Sequence, residues 1–173
     1  MDIIDKFPFL HESVESLEHD YCCEILSSFS EIVDISTPFM QCVTSEVLAT
    51  PLQKYVKEFV IKEVNHVAKL WNLKPIKEMS LTWNLSFYPK DCSNFDKECV
   101  ILNHVYSSIG FKIVLSPNNI NEHNFCMKHL LSNEITTMKV PQGKIIIFPS
   151  TFIYPVQICA DNDLFIADGQ VEF

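Results

Sequence analysis

The chain contains no arginine: all 13 of its basic residues are lysines, set against 22 acidic residues for a net charge of -9. Proteins that bind nucleic acid displace counterions from phosphates with clustered Lys and Arg, so an acidic chain without Arg does not fit that class. The same absence removes the side chain best shaped to grip a carboxylate through two parallel hydrogen bonds. Only 3 of the 173 residues are glycine, which leaves no Gly-rich loop to cradle a phosphate. Ser150 follows Phe-Pro without the flanking glycines of a nucleophile elbow. No apolar run approaches the roughly 18 residues that a membrane span needs. Met1 to Phe9 carries Asp2 and Asp5 and shows no basic segment ahead of an apolar one, so no secretory signal is expected. The 7 cysteines form no Cys-x-x-Cys and no regular framework. Reduced thiols inside a cell are the expectation.

What is present points to one domain spanning residues 1–173, because 47% hydrophobic content is ample for a single core. The first part, 1–75, reads as mainly helical. Leu17, Tyr21, Ile25 and Phe29 recur every four positions, which predicts an amphipathic helix from Ser13 to about Phe29. Thr50, Pro51 and Gln53 read as the cap, first turn and capping-box partner of a second helix. Its apolar face runs through Leu52, Val56, Phe59, Val60, Val67, Leu70 and Trp71 to about Leu73, and Pro75 ends it. Ile32 to Leu48, between the helices, has room for a short strand. From residue 76 the period shortens. Leu81–Tyr88, Val100–His104, Gly110–Leu115, Glu134–Val140, Lys144–Phe148, Phe152–Cys159 and Leu164–Ala167 are short, rich in β-formers and separated by turn-prone groups. Helices followed by many short strands predict an α+β fold, a jelly roll over 76–173 preceded by N-terminal helices.

The segment from Pro141 to Ile158, PQGKIIIFPSTFIYPVQI, sharpens that expectation. A Pro-x-Gly turn feeds an apolar strand that ends in Phe-Pro-Ser, and a second strand starts near Tyr154. This resembles the late core of the 2-oxoglutarate/iron(II) oxygenases of the prolyl-hydroxylase and phage type. Trp83-Asn84 and Ser107–Leu115 are similar to earlier strands of that family's core, so the resemblance extends from about Leu81 to the C-terminus. It implies a double-stranded β-helix.

In such enzymes a His-x-Asp or His-x-Glu pair and a distant His hold iron(II) on one face, leaving positions open for 2-oxoglutarate and oxygen. An Arg, less often Lys, on the last core strand pairs with the far carboxylate of 2-oxoglutarate. Carried onto this chain, the first ligand is His104, the second position is Tyr106 and the third is Tyr154, a phenol in place of a His. No lysine follows Lys144, so the last strand offers no cation; Lys112, Lys128 and Lys139 remain on earlier strands. These departures imply no catalytic residues, no cofactor and no bound metal, with His104, Tyr106 and Tyr154 lining a degenerate pocket. The alternative is an active dioxygenase that uses iron(II) and 2-oxoglutarate through atypical ligands such as His104, His123 and His129.

Other constellations carry blander readings. His123-x-x-Cys126-x-x-His129 offers donors that zinc accepts, with Cys92 or Cys99 as a fourth. Its spacing matches no standard finger or ribbon, and a loop followed by an edge strand is the expectation. Of Cys22 and Cys23, one thiol should point inward and one outward. Trp71 and Trp83 are expected in the core, although with Tyr106 they form the candidate aromatic set for a sugar- or peptide-binding mouth. The functional expectation is a non-catalytic structural or interaction component of a phage, made in the host cytoplasm and associated with the virion. Its partners are other proteins or further copies of itself, with neither nucleic acid nor membrane involved.

Overall fold

A computed structural model describes residues 10–73, 80–90, 108–117, 125–128, 135–149, 156–157 and 163–172. A two-residue strand, β1 (His11–Glu12), leads to helix α1 (His19–Ser30), strand β2 (Gln41–Thr44), a 3-10 turn (Ser45–Val47) and helix α2 (Thr50–Leu70). Strands β3 (Ser80–Tyr88), β4 (Ser108–Val114), β5 (Phe125–Lys128), β6 (Ile135–Met138), β7 (Ile145–Pro149), β8 (Val156–Gln157) and β9 (Leu164–Glu172) follow. Six of them form one antiparallel sheet in the order β1-β7-β4-β9-β3-β2, and the other three form a second sheet, β6-β5-β8. The strand expected at Val100–His104 lies outside the described residues.

Side chains alternate between the two faces of a strand, and here the register keeps odd-numbered residues together across the large sheet. Trp83, Leu85, Phe87, Ile109, Phe111, Ile113, Ile145, Ile147, Ala167 and Val171 all join the cluster that also holds the buried faces of both helices. From α1 come Cys22, Ile25 and Phe29, and from α2 come Leu52, Val56, Val60, Val64 and Val67. Phe165 completes the contact by meeting Phe29 edge-on at 5.5 Å between ring centroids. Gly169 lies under Trp83, where a Cβ would come within 2.2 Å of the Thr82 carbonyl.

Helix α1 starts later than its periodicity predicts, at His19 rather than Ser13. Backbone groups of the preceding residues are already bound to the approach to β7. Leu17 N donates to Gly143 O at 2.8 Å and Ser13 N donates to Ile145 O at 3.0 Å. Lys144 Nζ donates to the carbonyls of Ser13, at 2.8 Å, and of Val14. Gly143 permits this because it sits at φ +80° and a Cβ there would come within 2.3 Å of Leu17 O. At α2 the cap is Ala49, and Thr50 is the first helical residue. Gln53 still folds back, but its side chain donates to Leu48 O at 2.7 Å rather than closing a box with Thr50. Leu70, expected on the apolar face, is exposed because the helix ends there. Trp71 is partly buried against the core.

One acid interrupts the buried face of α2. Glu63 is buried near His66, and the His66 ring lies 5.7 Å from that of His11 on β1. Burial pushes the Glu63 carboxyl above its ordinary value of 4.5, as does Glu15, while Lys62, His66 and Lys144 act the other way. Burial and then His66 pull His11 below its ordinary 6.5. A carboxyl raised by folding stabilises the protein fully below its unfolded value and loses that contribution as pH rises through the folded one. Glu63→Gln should therefore raise the melting temperature by a few degrees at pH 7. The advantage should vanish below about pH 4.5, where both states of the wild type are protonated. Thermal scans of the two proteins across pH check this, and an equal shift at every pH would contradict it.

Candidate functional site

The opposite face of the large sheet carries the even-numbered side chains and divides into two halves. One half is apolar: Leu10, Tyr88, Val114, Val140, Ile146, Phe148, Leu164 and Ile166 pack together, with Met40 at the margin. The Phe148 ring lies over Gly110, where a Cβ would come within 2.4 Å of it. The other half is polar, because β2, β3, β4 and β9 alternate there with Cys42, Asn84, Ser86, Lys112, Asp168 and Gln170.

Three of these side chains form a closed unit on adjacent strands. Asp168 stands in register with Lys112 of β4 on one side, and on the other with Asn84 of β3, two residues from Ser86 on the same face. Ser86 Oγ donates to Asp168 Oδ1 at 2.7 Å, and Lys112 Nζ lies 3.8 Å from Asp168 Oδ2. The Lys112 side chain is only 5% exposed, against 22% for Asp168. Burying an ammonium this far from water is costly unless an opposite charge lies beside it. Asp168 supplies it. Cys42 Sγ, 3.7 Å from Ser86 Oγ, borders the unit on the β2 side.

The residues singled out from the sequence distribute unevenly. Lys112 is described and belongs to the buried pair. Cys126 lies on β5, in register with Thr137 of β6 and Gln157 of β8, which makes β5 the middle strand of its sheet rather than an edge. Lys128 ends β5 opposite Ile135, and Lys139 follows β6 at the surface. His104, Tyr106, His123, His129 and Tyr154 lie outside the described residues. Cys22 points inward and Cys23 outward, as expected. Trp83 is buried. Sequence reasoning missed Asp168 and Ser86. It ended the last strand at Ala167, whereas β9 runs on to Glu172. The available signal was Lys112 itself, a charge between Phe111 and Ile113 in an otherwise apolar strand.

A cleft of about 660 Å³ opens at the start of α2, lined by Thr44, Glu46, Gln53, Lys54, Lys57 and Trp83 among others. Lys112, Ser86 and Asp168 do not line it.

The fold has close counterparts among solved structures. The viral collagen prolyl hydroxylase of Paramecium Bursaria Chlorella virus-1, in its 2OG complex, superposes with a TM-score of 0.61 at 11% identity, covering 99% of this chain and 98% of that one. A Trichoplax adhaerens prolyl hydroxylase, solved with a hypoxia inducible factor peptide, gives 0.65 at 11% identity over 98% of this chain and 86% of its own. A Burkholderia pseudomallei oxidoreductase of the 2OG-Fe(II) oxygenase family gives 0.64 at 8% identity, with coverage of 98% and 86%. This chain has the fold of the 2-oxoglutarate/iron(II) oxygenases. No family model and no curated protein matches its sequence.

Strand β9 presents a carboxylate, Asp168, on the polar face of the large sheet. That carboxylate also occupies Lys112, the buried lysine of the same face. Among the described residues no three His, Cys, Asp or Glu side chains are grouped to hold a metal ion. The pair's energetics are open to test. Asp168→Asn should cost about 3 kcal/mol, at the lower end for breaking a buried pair because Asp168 is partly solvated. Lys112→Met combined with Asp168→Asn should be less damaging than Asp168→Asn alone. Urea denaturation of the wild type and the two variants measures this, and an unchanged midpoint for Asp168→Asn would show that its carboxylate does not sustain the lysine.

Proposed function

We propose that this chain is a non-catalytic protein on the 2-oxoglutarate oxygenase scaffold, its two sheets forming a double-stranded β-helix put to structural use. The buried Lys112–Asp168 pair carries this reading, because it commits the face's buried cation to an internal partner. The sequence supports it from another side: with no arginine and no lysine beyond Lys144, nothing on β9 can replace that cation. A scaffold can outlast its site because apolar strands hold the fold whereas metal ligands serve only chemistry.

The role we propose is assembly through protein contacts, as a component of a phage made in the host cytoplasm and carried in the virion. Ile32, Ile35 and Phe39 stand exposed in the segment leading to β2, the edge strand of the large sheet. Exposed apolar groups beside a strand edge favour docking of another protein or a second copy of this one. The net charge of -9 favours a basic protein partner and disfavours nucleic acid. No helix among the described residues is long and apolar enough to cross a membrane.

Incubation with iron(II), 2-oxoglutarate and ascorbate should yield no succinate above a metal-free control. Tyr106→Asp with Tyr154→His should restore metal binding without restoring turnover, since the cation on the last strand stays absent. Sedimentation should show self-association or a complex with a protein of the same genome, burying more than roughly 1,000 Å². Succinate production by the wild type would replace this reading with that of a dioxygenase with atypical ligands.

A further inference from the structure

The large sheet ends at β2, and no described strand pairs with its second edge. The loop leading into β2 is held in one shape by its own polar groups. Asp34 N donates to Gln41 Oε1 at 3.0 Å, and Gln41 Nε2 donates to Asp34 O at 2.7 Å. The Asp34 carboxylate accepts from Ser36 N at 3.0 Å and from Ser36 Oγ at 2.6 Å. Ile35 and Phe39 stand exposed inside this loop, and Ile32 just before it. Apolar side chains fixed in this way lose little freedom when a partner docks on them. Charge is the second feature. Between Lys6 and Lys54 the chain has eight acidic residues and no lysine. Glu31 and Asp34 precede β2 and Glu46 follows it, all three exposed. The nearest lysines beyond that end, Lys54 and Lys57, line the cleft of α2, and Lys54 lies 3.8 Å from Glu58.

We propose that β2 accepts an extended, lysine- or arginine-bearing segment of another protein as a further strand of the six-stranded sheet. Ile32, Ile35 and Phe39 take its apolar side chains, and Glu31, Asp34 and Glu46 its basic ones. The proposal rests on the assembly role given above and names the surface and the kind of partner that serve it. An unpaired strand edge offers a row of backbone donors and acceptors. An incoming strand gains main-chain hydrogen bonds there whatever its sequence, and the flanking side chains choose among strands. Charge decides the choice here. A second copy adding its own β2 antiparallel would set the Gln41 end of one strand against the Thr44 end of the other. Asp34 of each copy would then approach Glu46 of the other, and like charges brought together disfavour that pairing. A basic segment meets the same carboxylates as partners.

Hydrogen exchange on the whole folded chain, read by peptide mass spectrometry, tests the proposal with a short synthetic peptide that alternates lysine and valine. Its glutamate-for-lysine counterpart and a fully N-methylated copy are the controls. The lysine peptide should slow exchange within Gln41–Thr44. In calorimetric titration it should bind about tenfold more tightly than the glutamate peptide, and the methylated copy should not bind. Glu31→Lys with Glu46→Lys should remove that preference. Ile35→Ser with Phe39→Ser should weaken binding about tenfold and leave the melting temperature unchanged, because both side chains are exposed. Equal affinity for the lysine and glutamate peptides, or protection away from β2, overturns the proposal. Protection of β2 that grows with protein concentration in the absence of peptide overturns it in favour of a second copy. Such a failure leaves sedimentation free to support assembly through another surface, whereas succinate production removes the non-catalytic reading and leaves the strand pairing standing.

Discussion

Strand β9 is the constraint on which the architecture rests. All nine of its residues pair with β3, from Leu164 against Tyr88 to Glu172 against Ser80. Its other edge pairs with β4 from Ile166 to Glu172. Held on both sides, β9 cannot slip by one residue without turning Ala167 and Val171 away from the helices and Asp168 into the hydrophobic core. The two helices contribute by closing that core over the odd-numbered face. The tie between Ser13–Leu17 and the Gly143–Ile145 turn brings β1 onto the far edge of the sheet.

The same register explains the chemistry of the opposite face. Because Asp168 stands opposite Lys112 across a strand pair, the lysine meets a carboxylate without any change in backbone. Ser86, reaching from β3, fixes the other oxygen of that carboxylate. A buried ion pair is weak evidence for added stability, yet losing one member leaves the other charge stranded. The arrangement is thus self-enforcing.

Much of the fold was legible in the sequence, for identifiable reasons. Strands β3, β4 and β7 announced themselves because each is buried along most of at least one face and so concentrates apolar and β-branched residues. Helix α2 showed its four-residue stripe and its Pro51. Strand β1 was invisible, since two residues carry no period. The start of α1 misled because Ser13–Leu17 continues the apolar spacing while its backbone is engaged by the β7 turn, a tertiary effect. The second half of β9 hid behind Asp168, Gly169 and Gln170, residues that favour turns and are held extended here by partners on both edges. At the site, Lys112 stood out as a charge in an apolar strand. Its partner did not, because nothing local says that a residue 56 positions away lies directly across the ladder.

Direct titration of the wild-type protein with 2-oxoglutarate, followed by calorimetry in the presence of manganese(II), tests the central claim most closely. If Asp168 holds Lys112, no saturable binding should appear up to millimolar ligand. Saturable binding that Lys112→Met abolishes would show the lysine to be available to a dicarboxylate, and would contradict the account.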